Sequence, residues 1–430
     1  MILSRRTLAL LKRPTAARLL LRLLLLLGLC LNALPAFGAP DASPLTEESA
    51  VRLALARASL ADIAKGGLSV AEGQANAAGT YDNPELAYLR EELSGASATV
   101  EETLSVSQRF DLGNRRGLRE EAGQARVSAV RRQEEAARLA VAAEARERFY
   151  EVIFRQGRVN ALAEWVERVE QARALVLRRE QRGDAAAYEL RRIDRERIVA
   201  DGWLASERAG LERAGARLEA LLDGGGSGAI TRASGSLLPE SKPISLAALQ
   251  SATASRPDLL ALGFELEAAD LEGRAAARWW IPDLRLEAGW KSADVGNQRA
   301  ADGLLVGAAV ELPLWDRAAA MARVAAGASQ AARGQRALLE SELRAELAGL
   351  HAEAERRQEV ATRFEEQSVA ASSDLVRMVT RGHAGGEFTL LELLDAYRGA
   401  TDDALRALEL AHAARTARIE LDRLSGSGLP

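Results

Sequence analysis

Arg109-Phe110-Asp111-Leu112-Gly113-Asn114-Arg115 closes a short alternating stretch and opens a run, Arg115 to Arg182, with no proline and little glycine. The same junction returns about 200 residues later as Glu311-Leu312-Pro313-Leu314-Trp315-Asp316-Arg317. Upstream, Asn83-Pro84-Glu85-Leu86 is answered by Ile281-Pro282-Asp283-Leu284, and downstream Arg182-Gly183-Asp184 is answered by Arg381-Gly382-His383. A spacing this long lies far outside the roughly 20–50-residue periods of solenoids. It implies two large copies of one unit, each carrying helix, strand pair, long helix, tip and return helix in that order.

The long helices are read from their seams. In the first copy apolar or small residues recur at Ala142, Ala145, Phe149, Val152, Gln156, Val159, Leu162, Val166, Val169 and Val176. In the second, Leu343, Leu347, Leu350, Ala354, Arg357, Ala361, Phe364, Ser368, Ala371, Leu375 and Met378 alternate steps of four and three. That is the heptad spacing that holds one face against a partner helix. Helices of ~65 residues reach ~100 Å at 1.5 Å per residue, a length suited to a tube or rod. Gly183 and Gly382, each after an arginine, are expected to cap the long helices in the left-handed conformation. Thr389 suits the N-cap of the second return helix, and Asp184 the start of the first. The return helices are placed at about 187–222 and 389–424.

Ahead of each long helix the period drops to two. Asp283-Leu284-Arg285-Leu286-Glu287-Ala288-Gly289-Trp290 alternates without error, and Leu304, Val306, Ala308, Val310 and Leu312 form the apolar face of its partner. Lys291 to Asp302 reads as a polar loop between them. The first copy is weaker, with Leu86, Tyr88, Leu104, Val106 and Phe110. Period two marks strands with two different faces. Strands of about 9–11 residues fit a tilted transmembrane barrel, and periodicity alone fits a soluble hairpin on a core equally well. Trp279, Trp280, Trp290 and Trp315 bracket the second hairpin and are candidates for a membrane interface. Helices are expected before each hairpin, at about 45–79, weakened in its middle by Gly66-Gly67, and at about 246–280. Asp223-Gly224-Gly225-Gly226-Ser227-Gly228 and on to Pro243 reads as a flexible linker between the copies.

Residues 1–38 read as a secretory signal: Arg5, Arg6, Lys12, Arg13, Arg18 and Arg22, then Leu23 to Leu31, then Ala36-Phe37-Gly38. Leu27-Gly28-Leu29-Cys30 offers an alternative lipoprotein site, although Leu29 stands where such sites want a small residue. The leader holds six basic residues and no acids, so its removal takes the net charge from −4 to −10. An acidic chain is a poor nucleic-acid binder. The single cysteine leaves with the leader, so packing alone must stabilise what remains. No nucleophile elbow, phosphate loop or cysteine pair is present. His351, His383 and His412 are far apart in sequence. The reading is therefore of a non-enzyme with no cofactor and no metal site.

Four candidate strands per chain cannot close a barrel, for which about eight is the practical minimum. Open edges cannot face lipid, where each unpaired backbone group costs several kcal/mol. If these strands enter a membrane, the chain must oligomerise, and three copies would supply twelve strands.

These features resemble the TolC-type outer-membrane efflux proteins over essentially the whole length after the leader. Glu102-Thr103-Leu104-Ser105-Val106-Ser107-Gln108-Arg109-Phe110-Asp111-Leu112-Gly113-Asn114-Arg115-Arg116, with Asn83-Pro84-Glu85-Leu86, is similar to the start of the long helix in the CzcC-type branch. Ser255-Arg256-Pro257-Asp258-Leu259 resembles a helix motif of the family. The chain departs from the pattern at Ala58-Ser59-Leu60, where a proline is usual, and at Asn114, where a second glycine is common. The resemblance implies a mainly α chain with a β-barrel part, in two repeats at 39–223 and 244–430 joined by 224–243. It implies a homotrimer in the outer membrane with a periplasmic helical tunnel, docked to a membrane-fusion adaptor and an inner-membrane pump of the resistance-nodulation-division class. It further implies passive conduction, with heavy-metal cations as cargo; drug efflux and type I secretion are alternatives within the family. Arg182, Gly183 and Asp184, with Arg381, Gly382 and Glu387, would form the periplasmic tip that meets the adaptor. A soluble periplasmic coiled-coil scaffold explains the leader and the heptads, but not the two strand pairs.

Overall fold

The computed structural model describes residues 44–95, 98–182, 187–222, 232–295 and 298–426; the leader, Gly183, Asp184 and the glycine run at 223–231 lie outside them. Residues Thr46–Pro430 pack as one unit. Its order among the described residues is α1 (Glu47–Leu55), α2 (Ala58–Gly79), β1 (Glu85–Leu93), β2 (Thr99–Phe110), α3 (Arg115–Gln181) and α4 (Ala187–Leu221). The second copy follows with α5 (Leu246–Thr253), α6 (Pro257–Ala277), β3 (Leu284–Val295), β4 (Gln298–Val310), α7 (Ala319–Phe364), a π-helical turn (Glu365–Val369), α8 (Ala370–Gly385) and α9 (Leu390–Ser425).

The helices before the hairpins are each broken once. The second breaks at Arg256, whose φ −59 and ψ 134 are what a following proline imposes, and Pro257 then takes the first helical position. The first breaks at Arg57, with φ −57 and ψ 131, although Ala58 replaces the proline. The weakening expected at Gly66-Gly67 leaves α2 continuous, because α2 lies on α3 there and Gly67 faces Val130. The second helix ends at Ala277, short of the expected 280. Packing sets the closeness of the helices: a Cβ on Gly123 would come within 2.6 Å of the Ala75 backbone.

The long helix of the first copy keeps its expected face. Ala142, Ala145, Phe149, Val152, Leu162, Val169 and Val176 are buried. At its distal end Leu162, Trp165 and Val169 of α3, Ile193 and Leu204 of α4, Val379 of α8, and Leu393 and Tyr397 of α9 share one core. A fully buried Leu or Val contributes about 1.5–3 kcal/mol, so this cluster joins the hairpins of both copies. A second core unites Leu249, Leu259, Leu343, Leu347, Ala417 and Leu421. A third joins the copies through Leu118 and Ala122 of α3 with Ala268 and Leu271 of α6. Exposed flanks carry Glu-to-Arg pairs four apart, such as Glu353–Arg357 and Glu359–Arg363, each contributing about 0.2–0.5 kcal/mol.

The second-copy heptad holds only as far as Phe364. Leu347, Ala354 and Ala361 are buried, but Leu375 is 50% and Met378 62% exposed. The π-turn winds one extra residue into the helix, so the inward face passes to Ser372, Val376, Val379 and His383. A strictly periodic sequence carries no mark of such an insertion.

The strands form one antiparallel sheet in the order β1-β2-β3-β4. β2 of the first copy pairs with β3 of the second, so the duplication closes into a single sheet. Most of the span Lys291–Asp302 is strand, with an irregularity at Ala293/Asp294, and the expected long loop is absent. Gly289 is required by close approach: its Cβ would stand 2.4 Å from the Leu104 carbonyl oxygen.

The described part of the expected linker is anchored to the helices. Arg415 Nη2 donates to the carbonyls of Ser236 and Leu238 at 2.7 and 2.9 Å, Gln358 donates to Pro239 O at 2.9 Å, and Gln156 accepts from Ala233 N at 2.9 Å. Glycine content suggested flexibility, but the flanking carbonyls meet arginine and glutamine donors from distant helices.

Candidate functional site

The register of the sheet sorts its residues into two faces. Tyr88, Leu104, Trp290 and Leu304 lie in one row across all four strands, and Leu86, Val106, Ala288 and Val306 in the next. Leu304 and Val306 are 75% and 74% exposed and Leu86 71%. None of the described residues covers this face. The opposite face carries Glu85, Ser107, Glu287 and Gly307 in one row and Leu89, Thr103, Lys291 and Gly303 in another. Its charges cross-link: Arg285 with Glu85 at 2.9 Å, Arg109 with Glu311 at 2.9 Å and Lys291 with Glu101 at 2.6 Å. Over these rows one face suits hydrocarbon and the other water; towards the β1-β2 turn the first face ends in a polar row, where Arg90 pairs with Glu102 at 3.0 Å. β1 and β4 are free edges within the chain. Among the described residues no helix is long and apolar enough to cross a membrane.

Of the tryptophans, Trp279 and Trp280 precede β3 and Trp315 follows β4, so these three gather at the end where the sheet meets the helices. Trp280 is 64% and Trp315 91% exposed, and Arg317 lies over the Trp279 ring. Trp290 departs from the expected placement at a strand end. It sits mid-strand on the apolar face, paired with Leu104 and Leu304.

The strand-to-helix junction is held by the motif that opens the sequence. Asp111 accepts from the backbone N–H of Gly113 at 3.0 Å and of Arg116 at 2.6 Å. Asn114 takes the left-handed conformation at φ 48, which asparagine tolerates. Arg115 pairs with Asp283 of the second copy, and Arg278 donates to Gly113 O at 2.8 Å. Arg116 covers Tyr81 and donates to Gly79 O at 2.6 Å. In the second copy Asp316 accepts from Ala318 N at 2.9 Å, with Ala318 left-handed at φ 51. The chain turns sharply from sheet to helix at both sites because a carboxylate satisfies the freed N–H groups.

At the far end the tip departs from the sequence reading. Gly382 lies inside α8 and is not its cap; Gly386, at φ 87, is. Glu387 N donates to Gly382 O at 2.8 Å and Gly386 N to His383 O at 3.2 Å, the Schellman arrangement. Gly382 is needed for a different reason, since a Cβ there would stand 2.3 Å from Phe388 Cδ2. Arg381 and Glu387 are exposed. Arg182 ends α3, and Gly183 and Asp184 lie outside the described residues. Thr389 caps α9 as expected: its hydroxyl accepts from Glu392 N, and Glu392 answers at Thr389 N at 2.7 Å. The Thr389 backbone and hydroxyl hold the Glu392 carboxyl below its ordinary value.

Two tip residues, Arg179 and Phe388, escaped the sequence reading, and His383 entered it only as part of the repeat and among the scattered histidines. Arg179 Nη2 reaches from the first copy to His383 O at 3.0 Å, neutralising the carbonyl end of α8. His383 is buried, its Nδ1 2.9 Å from Phe388 O. Phe388 fills the notch at Gly382. Only the Gly385-Gly386 pair gave a signal, by marking a turn later than Gly382. Further up, Arg398 of α9 clamps Glu196 of α4 with two hydrogen bonds, and the Glu196 side chain is 8% exposed.

Residues 248–427 match the family model described as outer membrane efflux protein. The nickel-cobalt-cadmium resistance protein NccC of Alcaligenes xylosoxydans xylosoxydans is 28% identical over 315 residues, covering 70% of this chain and 68% of that protein. The nickel and cobalt resistance protein CnrC of Cupriavidus metallidurans is 29% identical over 301 residues, 67% and 69% of the two chains. Among solved structures, CusC superposes with a TM-score of 0.72 at 18% identity, over 89% of this chain and 92% of that one. The outer membrane protein VceC of Vibrio cholerae gives 0.70 at 19%, over 89% and 97%. The two-faced sheet fed by paired long helices is thus the fold of these outer membrane channels, and the second copy carries the match to the outer membrane efflux protein family.

Proposed function

We propose that three copies of this chain close a twelve-strand barrel in the outer membrane and continue it as a periplasmic helical tunnel. This conduit passively carries heavy-metal cations delivered by an inner-membrane pump and its adaptor. The observation that carries the reading is the sheet: one uncovered apolar face, one charged face and two free edges. Such a sheet is stable in lipid only when its edges are paired by further copies. The metal cargo is supported by the resistance proteins named above, which share about two thirds of their length with this chain. On this reading 39–223 and 244–430 are the two repeats and the tips meet the adaptor.

Deleting the coding region and challenging the strain with a panel of metals and drugs tests the cargo. Sensitivity to nickel, cobalt or cadmium is expected. Drug sensitivity with unchanged metal tolerance in a strain lacking related channels would overturn the metal reading. Outer-membrane recovery as a heat-modifiable trimer tests the channel itself, and release as soluble monomer would refute it.

A further inference from the structure

We propose that the segment from the π-turn at Glu365–Val369 to the glycine pair Gly385-Gly386 is a two-register element, able to exchange its inward face by one residue. Two complete seams occupy this stretch. Ser372, Val376, Val379 and His383 face inward, and one residue earlier Ala371, Leu375, Met378 and Gly382 continue the heptad that runs unbroken from Leu343. The extra residue of the π-turn sets which of them faces inward. Loss of its extra residue gives a regular helix, advances the chain by one position and rotates it by about 100°.

The groups around the segment are arranged for that exchange. Leu375 and Met378 lie exposed now and would become buried. His383 Nε2 is buried without a hydrogen-bond partner among the described residues and would be released. Against this stand the burial of Val376 and Val379, the bond from Ser372 to Asp403, and the fit of Phe388 against Gly382. The cap tolerates either register. The left-handed place held by Gly386 would pass to Gly385, another glycine with open space at its Cβ position. None of the π-turn residues is fully buried, and only Ser368 and Val369 are half-buried. The exchange would replace one exposed apolar pair of the chain with another, and this inference is independent of what the protein transports.

The test uses single cysteines in a Cys30→Ser background, with the assembled protein in detergent labelled by a maleimide over time. Met378→Cys should label fast. Val379→Cys, 6% exposed at the native side chain, should label slowly but completely, while Leu393→Cys on the facing helix stays unreactive. Deleting Glu366 removes the extra residue and leaves the present inward face on a regular helix. It should slow labelling at Val379→Cys by tenfold or more. If the deletion fails to assemble, Met378→Glu serves instead, since it is accommodated in the present register and opposes the other. Labelling of Val379→Cys that is absent, unchanged by both variants, or matched by Leu393→Cys as in simple fraying would overturn the proposal.

Discussion

Gly382→Ala and Phe388→Ala should each loosen the tip, and together they should loosen it less than Phe388→Ala alone. At Gly382 the new Cβ would meet Phe388 at 2.3 and 2.6 Å, so the ring must leave its notch. Overpacking of this kind costs about 1–3 kcal/mol, while alanine in place of a helical glycine returns about 1 kcal/mol. The net is about 0–2 kcal/mol of local destabilisation, or opening up to ~30-fold faster. Without the ring only the propensity gain remains, and the same substitution should slow opening about fivefold. The difference between the two backgrounds corresponds to a coupling of ~1–3 kcal/mol, within the range of touching residues. Gly386→Ala should behave differently. It pays about 1–2 kcal/mol for a left-handed alanine with no atom within 4 Å to relieve, so Phe388→Ala should not rescue it. Hydrogen exchange by mass spectrometry on tip peptides reads these rates, with the Glu387 N–H to Gly382 O bond as reporter. An equal effect of Gly382→Ala with and without Phe388 would refute the steric account.

Three further outcomes follow from the geometry. Arg398→Ala strands the nearly buried carboxylate of Glu196 and should cost about 1–3 kcal/mol, discounted for the half-exposed arginine; thermal unfolding should show Glu196→Gln to be milder, and equal effects would count against a stranded charge. Val306→Arg on the apolar face should cost about 2–4 kcal/mol per chain in the bilayer and reduce heat-modifiable trimer, whereas Leu89→Arg on the opposite face should be tolerated; the reverse order would invert the face assignment. Burial, with Arg155 adding to it against the pull of Glu151, holds the His412 imidazole below its ordinary value, where it stacks on Phe154. The unfolded chain therefore takes up the proton first, and the stability His412 contributes is present above about pH 6.5 and falls as pH drops below it. His412→Phe should flatten that acid-side slope of the unfolding temperature, and an unchanged slope would exclude His412 as its source.

The residues that were legible are those whose role repeats locally. The alternation from Leu284 to Trp290 placed the strand and its two faces, and the seam from Ala142 to Val176 placed the buried face of α3. Thr389 marked the start of α9, since an N-cap acts within a few residues, and the structure adds Glu392 as its partner in a capping box. The tip was less legible. Gly382 had the look of a cap, yet Phe388 decides its role through a contact made only after the chain reverses. Arg57 breaks its helix without proline, at the same backbone angles as Arg256, and no local residue announces it.

By itself the sequence determined the duplication, the period of each element and therefore which residues share a face. These are properties of neighbours a few positions apart, and backbone geometry converts them directly into helix and strand. Only the tertiary structure decided that β2 pairs with β3 across the two copies, that Arg179 and Arg398 tie one copy to the other, and that an extra residue at Glu365–Val369 turns Leu375 and Met378 outward. Those outcomes depend on groups about 200 residues apart or on one inserted residue, and local periodicity encodes neither.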